Sequence, residues 1–175
     1  DGFGWHATNA AKDGEQPLTN CSALNCMVWK GKLGHGIRIG SSLETKEVSN
    51  LFFKNIDIVK IVGGYAVVIP NSDWAEVKDL TFEGIRDEKP NQTAFVSLSI
   101  EKTQFSNPVY RPGTISNIQF VDCESNGTKT KIKGYDKDHM IKNVTFKNVK
   151  LAGRKMQQSD IEMNEFTENI VVLDN

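Results

Sequence analysis

A nine-residue pattern that recurs along the chain constrains its fold more than any other feature. The copy at Val48–Ile56 has a polar Asn50 at its third position, followed by the alternating apolar residues Leu51 and Phe53. Copies begin at residues 18, 48, 77, 115, 141 and 167, the first weaker and the last partial, so the steps are 30, 29, 38, 26 and 26 residues. Self-similarity at such a period is the signature of a solenoid, in which stacked repeats bury a continuous core.

The apolar period inside each copy predicts which solenoid this is. Alternation with a period of two is typical of β-strands. Further short strands are predicted between the copies, and no long stretch with a helical period is present. We therefore expect an all-β fold, a right-handed parallel β-helix of about six coils, forming one domain over residues 1–175. The 38-residue step indicates an insertion at Thr103–Gly113.

The polar third position of the repeat forms a column of its own. A turn residue that recurs in every coil is expected to bond to backbone or to its neighbours in the column. We interpret this column as architecture and not as a ligand site; its members are Asn20, Asn50, Asp79, Asn117, Asn143 and Asn169.

Composition excludes several classes of function. The net charge is −1 and the charges are spread along the chain, which argues against a basic nucleic-acid face. No apolar run is long enough for a transmembrane helix. Three cysteines do not make a disulfide framework, and at repeat positions they are expected in the core. We expect no metal and no cofactor.

The segment Gly34–Ser41 is the strongest candidate for chemistry. His35 stands between two glycines, which suit an unusual turn or the close approach of a ligand. Shifting the strand that follows by one coil aligns Ile37 with Val67 and Val96, pointing inward, and aligns Arg38 with Val68 and Ser97, pointing outward. The outward side of this strand is the expected binding face.

The octapeptide Gly34–Ser41, followed by Val48–Leu51, resembles the Gly-His-Gly motif of polygalacturonase-type glycoside hydrolases of family 28. Those enzymes are β-helices of the pectin-lyase-like class. Asp1–Trp5 is similar to the second Asp of the family's Asp-Asp pair and the strand after it. The repeat resembles that fold over nearly the whole chain, but the functional motifs are confined to about the first forty residues.

The resemblance implies inverting hydrolysis of a polysaccharide, which takes a carboxylic acid and a carboxylate base. By similarity Asp1 belongs to the water-activating carboxylates and His35 supports them. We expect Arg38 and Ser97, from the outward face of the sheet, to contact the substrate, and His6 to stack on a sugar ring. It also implies a secreted or periplasmic protein. The matching acid would precede Asp1, so we expect this chain to be the C-terminal part of a longer β-helix, inactive alone. Asp13 is the fallback carboxylate.

The family's Arg-x-Lys pair, which holds a uronate, is replaced here by the uncharged Val67–Pro70. A neutral glycan, as in dextranase-type hydrolases of family 49, fits this segment no worse. Another alternative is a non-catalytic β-solenoid that binds carbohydrate or serves as a structural stalk. A lyase on the same fold ranks last, because no cluster of Asp residues that could hold Ca²⁺ falls on one face. Open coil edges predict end-to-end self-association.

Overall fold

The computed structural model describes residues 1–8, 16–29, 34–60, 64–88 and 94–174. In this part of the chain no helix is both long and apolar enough to cross a membrane. The secondary structure is almost entirely β, with one short 3₁₀ turn at Gln158–Asp160. The strands are β1 (Phe3–Ala7), β2 (Leu18–Thr19), β3 (Ser22–Trp29), β4 (Ile37–Leu43), β5 (Glu47–Lys60), β6 (Val67–Asn71), β7 (Glu76–Asp87), β8 (Val96–Ile100), β9 (Thr114–Val121), β10 (Glu124–Ser125), β11 (Thr130–Lys133), β12 (Ile141–Lys147), β13 (Lys150–Leu151), β14 (Arg154–Lys155), β15 (Ile161–Met163) and β16 (Thr167–Leu173).

The strands form two sheets that wind around one core. The first sheet has six parallel strands in the order β1-β4-β6-β8-β11-β15. The second contains the other ten, and its pairs are parallel apart from β13 with β14. Each coil contributes one strand to the first sheet and then runs into the second. The predicted all-β parallel solenoid is confirmed, with about five turns where about six coils were expected.

The register predicted from the repeat is confirmed at every step. Residue pairs between neighbouring coils join the first residue of each copy to the first residue of the next: Leu18 with Val48, Val48 with Val77, Val77 with Ile115, Ile115 with Ile141, and Ile141 with Thr167. The 38-residue step keeps this register because its extra residues lie between β8 and β9.

Phenylalanines of the repeat stack along the axis of the solenoid. The ring centroids of Phe53 and Phe82, and of Phe82 and Phe120, are 4.8 Å apart, and those of Phe120 and Phe146 are 5.0 Å apart. These distances match the spacing of hydrogen-bonded strands. Trp5 continues the stack at one end by an edge contact to Phe53. All four phenylalanines are fully buried, so this stack is the centre of the core.

The polar column is architectural, as predicted. All six of its residues have φ between 54° and 59°, a left-handed conformation in which Asn and Asp are the most tolerated residues after Gly. Their side chains bond from coil to coil: Asn143 Nδ2 donates to Asn117 Oδ1 at 3.0 Å, and Asn169 Nδ2 donates to Asn143 Oδ1 at 2.8 Å.

A second polar column lies five residues further along each coil. It contains Asn25, Asn55, Asp122 and Asn148, also with positive φ, while Gly84 takes its place in the third coil. Asn55 Nδ2 donates to Asn25 Oδ1 at 2.7 Å, and Arg86 Nη2 donates to Asn55 Oδ1 at 2.7 Å, where Gly84 has no side chain to offer. The long strands β5 and β7 pass through this column without ending.

The three cysteines behave as small core residues. Cys123 is buried in the core, and Cys21 and Cys26 are partly buried and pack against it. None of them forms a disulfide.

Candidate functional site

The bend that carries His35 is held by the coils on both sides of it. The His35 carbonyl accepts a hydrogen bond from Gly2 N at 2.9 Å, and Gly36 N donates to the Tyr65 carbonyl at 3.0 Å. Gly34 and Gly64 occupy equivalent places one coil apart, with φ of 104° and 92°. Such φ values favour glycine, so the glycines fix the bend that places His35 at the head of β4.

Asp1, His35 and Arg38 meet in one hydrogen-bonded cluster. Oδ1 of Asp1 accepts from the backbone N–H of His35 at 2.8 Å, and Oδ2 of Asp1 lies 3.3 Å from Nη1 of Arg38. The Arg38 and Asp1 side chains are only 24% and 17% exposed, so this ion pair is better shielded from solvent than an ordinary surface pair. The structure thus brings together three residues that the sequence placed in the site.

The protonation state of His35 follows from its surroundings. Its Nδ1 accepts the backbone N–H of Tyr65 at 3.0 Å, which leaves Nε2 to carry the proton of the neutral ring. Burial, and then the positive charge of Arg38, lower the pKa of His35 to about 4. At neutral pH His35 is therefore an uncharged ring with one N–H donor.

Arg38 retains unused hydrogen-bonding capacity. Asp1 takes one of the five N–H donors of a guanidinium group, and the buried Nε has no partner among the described residues. Burial also lowers the pKa of Arg38 from its usual value. The rest of the guanidinium is part-exposed, so its remaining N–H groups can donate to a polar ligand at this end of the cluster.

The cluster opens onto a cavity on the outward face of the six-stranded sheet. The cavity has a volume of about 350 Å³, and His35, Arg38, Tyr65, Ser97 and Glu101 are among its lining residues, together with Phe105 from the insertion. A second cavity of about 300 Å³ shares Ser97, Ser99 and Glu101 with it and continues to Lys131, Lys133 and Asn164. We call the two together the outer groove.

The aligned residues of the sequence prediction line this groove. Arg38 pairs with Val68, and Val68 with Ser97, which confirms the outward column. Although Val68 faces outward, it is only 5% exposed. Residues of the insertion line the same cavity and shield it from solvent. Ser97 is half-buried in the floor between the two cavities.

His6 is close enough to the cluster for its pKa to be lowered by burial and then by the charge of Arg38, but it does not line the outer groove. His6 lies on β1 and lines a different cavity, of about 480 Å³, with Gln16, Pro17 and Thr45. The fallback carboxylate Asp13 lies outside the described residues.

The spacing of carboxylates limits the chemistry of the described site. Inverting hydrolysis takes two carboxyl groups about 6.5–9.5 Å apart. Within the described ranges, Asp1 is the carboxylate that bonds to His35 and Arg38, and no second one joins it there. Glu101 lines the groove, but it lies three coils and about seven strand residues from Asp1, roughly 25 Å at β-sheet spacings. Nor do three His, Cys, Asp or Glu side chains of the described part gather in a group that could hold a metal ion.

Several lining residues were not predicted from the sequence. Tyr65 stacks on His35 with ring centroids 5.7 Å apart and an angle of 4° between the planes. The recurrence of Gly34-His35 as Gly64-Tyr65, one 30-residue step later, is the signal that could have identified it. Ser99 and Glu101 could have been identified by continuing the outward alternation after Ser97. The position of Phe105 depends on how the insertion folds, so no period in the sequence predicts it.

Comparison of the chain with protein-family models, with curated protein sequences and with solved structures found no match.

Proposed function

We propose that the chain binds polysaccharide along the outer groove, with the Asp1–His35–Arg38 cluster at one end of the binding face. The observation that carries this proposal is the cluster itself: a shielded arginine with unfilled donors beside a neutral histidine that offers an N–H. Both suit the hydroxyl and ether oxygens of a sugar, which accept hydrogen bonds without carrying charge.

The shape of the groove supports an extended ligand. The six-stranded sheet presents its outward residues in columns, and from Arg38 to Glu162 a ligand would cross four coil spacings, roughly 19 Å. The far end is polar rather than strongly charged, since Lys133 and Lys131 lie 3.1 and 4.0 Å from Glu162. A linear glycan chain running parallel to the solenoid axis fits this arrangement.

Arg38→Met tests the proposal. Affinity electrophoresis first identifies which polysaccharide, soluble dextran or polygalacturonate, the wild-type protein binds. Loss of the guanidinium should abolish most of the affinity for that polysaccharide. Arg111→Met is the matched control, because Arg111 is exposed and does not line the groove. Equal retention of both variants would refute a sugar-binding role for the cluster.

Hydrolysis is the second candidate function, and one observation favours it. The ion pair with Arg38 presents Asp1 in the carboxylate form that a general base needs, directly beside His35. The described residues supply no acid at the required distance, so we propose that cleavage takes a further carboxyl group from outside them. Release of reducing ends from neutral and uronic polysaccharides, compared between wild type and His35→Ala, tests this. Identical activity in both would remove His35 from the mechanism.

A further inference from the structure

The longest insertion in the repeat forms one wall of the outer groove. Residues 101–113 join β8 to β9, and they fold back across the first sheet instead of projecting into solvent. Oδ1 of Asp73 accepts the backbone N–H of Asn107 at 2.7 Å, while Oδ2 accepts that of Leu43 at 3.0 Å. Asp73 is fully buried, so its carboxylate ties the insertion to β4 from inside the protein.

Further bonds fix the tip of the insertion. Asn107 Nδ2 donates to Glu44 Oε2 at 3.1 Å, and Ser42 Oγ donates to the carbonyl of Phe105 at 3.2 Å. Within the tip, Phe105 N donates to Thr103 Oγ1 at 3.1 Å. The backbone of Phe105 is thus bonded through its N–H to the insertion itself and through its carbonyl to β4, two coils away.

This anchoring gives Phe105 an unusual environment for an aromatic residue. Its side chain is 57% exposed, whereas the phenylalanines of the central stack are fully buried. It lines the same cavity as His35, Arg38 and Tyr65. An aromatic ring held in place beside hydrogen-bond donors provides an apolar surface and polar contacts together, which is the combination that a sugar ring requires: C–H groups on its faces and hydroxyls around its edge.

We propose that Phe105 is a sugar-stacking residue and that the insertion is a preformed wall that holds a glycan against the His35–Arg38 end of the groove. This inference rests on the proposed polysaccharide binding and names the residue that contacts the apolar face of the sugar. Because the wall is already bonded in place, its ordering cost is paid in folding and not in binding.

Phe105→Ala should weaken binding to the polysaccharide that the wild-type protein binds, soluble dextran or polygalacturonate, by roughly tenfold. This is the effect of losing about 1.4 kcal/mol of stacking. Phe105→Trp keeps an aromatic face and should restore affinity to near the wild-type value. Val109→Ala is the control, since Val109 is 74% exposed in the same insertion but does not line the groove. Isothermal titration calorimetry measures all four proteins, and thermal unfolding verifies that each is folded.

The possible outcomes separate the two proposals. Wild-type protein that binds neither polysaccharide refutes the proposed function and this inference with it. Binding that is lost in Arg38→Met but unchanged in Phe105→Ala retains the function and overturns the role of Phe105. Weakening in Phe105→Ala that Phe105→Trp does not rescue also overturns stacking, because an aromatic face alone would then be insufficient.

Discussion

The backbone N–H of Tyr65 donates to Nδ1 of His35 at 3.0 Å, and the two rings lie parallel with centroids 5.7 Å apart. One residue of the next coil therefore sets both the tautomer and the orientation of the histidine. Because Nδ1 accepts this bond, the proton of the neutral ring stays on Nε2, which is then a fixed hydrogen-bond donor.

The first prediction concerns stability and pH. The pKa of His35 is lowered from its usual 6.5 to about 4, so between these values the unfolded chain binds a proton that the folded one does not. The free energy of unfolding therefore rises with pH from about 4 to 6.5. The contribution of the neutral His35 to stability is fully present above pH 6.5 and is lost as the pH falls through about 4. After allowance for partial exposure we expect a change of about 1–2 kcal/mol. Urea unfolding at several pH values measures it.

His35→Asn removes this titration while its Oδ1 can still accept the Tyr65 N–H. The slope of the free energy of unfolding between pH 4 and 6.5 should flatten in this variant. A wild-type slope in His35→Asn would show that other groups cause the acid sensitivity.

The second prediction concerns the bend. A methyl group at Gly64 would lie 2.7 Å from Nδ1 of His35 and closer still to the Gly34 carbonyl. We expect Gly64→Ala to displace the imidazole, to raise the pKa of His35 toward 6.5 in an NMR titration, and to weaken polysaccharide binding. Gly153→Ala is a matched control, because Gly153 also has a positive φ, 78°, but a methyl group there meets nothing within 4 Å. An unshifted His35 titration in Gly64→Ala would contradict the geometric argument.

The third prediction concerns the phenylalanine stack. Phe82 contacts the rings of Phe53 and Phe120 and is fully buried, so Phe82→Ala should lower the free energy of unfolding by about 3–5 kcal/mol. Phe82→Leu should cost less, because most of the volume is retained. Phe105→Ala, at an exposed aromatic, should change stability by no more than about 0.5 kcal/mol. Denaturant unfolding compares the three, and a similar loss at both sites would mean that the stack is not the centre of stability.

The fourth prediction separates backbone strain from side-chain bonding in the polar column. Asn117 has φ of 55°, donates to Asp79 Oδ1 and accepts from Asn143 Nδ2. Asn117→Gly loses both bonds but keeps the conformation, whereas Asn117→Ala also strains the backbone by about 1–2 kcal/mol. Thermal unfolding should rank Asn117→Ala below Asn117→Gly. Equal losses would assign the role of Asn117 to hydrogen bonding alone.

The sequence predicted the coils well because their determinants are local and repeated. The first residue of each copy pairs with that of the next, and Arg38, Val68 and Ser97 align as expected. The second polar column was missed although its signal is regular, five residues after the first; Gly84 interrupts it in the third coil.

The walls of the site could not be predicted in the same way. Asn107 and Asp73 are 34 residues apart in sequence, and the bond between them, which holds the insertion that carries Phe105, forms because a non-repeating segment folds back on the sheet. His6 was expected to contact the same substrate as Arg38, but its side chain lines another cavity. Periodicity determines which way a residue faces, while the groove depends on non-local bonds that no period encodes.

The insertion also shows where this architecture tolerates change. Phe82 and Phe120 are 38 residues apart and stack at 4.8 Å, the same distance as Phe53 and Phe82, which are 29 apart. The packing of the core thus does not depend on the length of the connection between β8 and β9. Doubling the length of such a loop costs only about 0.6 kcal/mol in closure entropy. A lineage, or a protein engineer, can vary this segment to change the proposed binding face while every coil beneath it stays in register, provided that a donor for the buried Asp73 is kept.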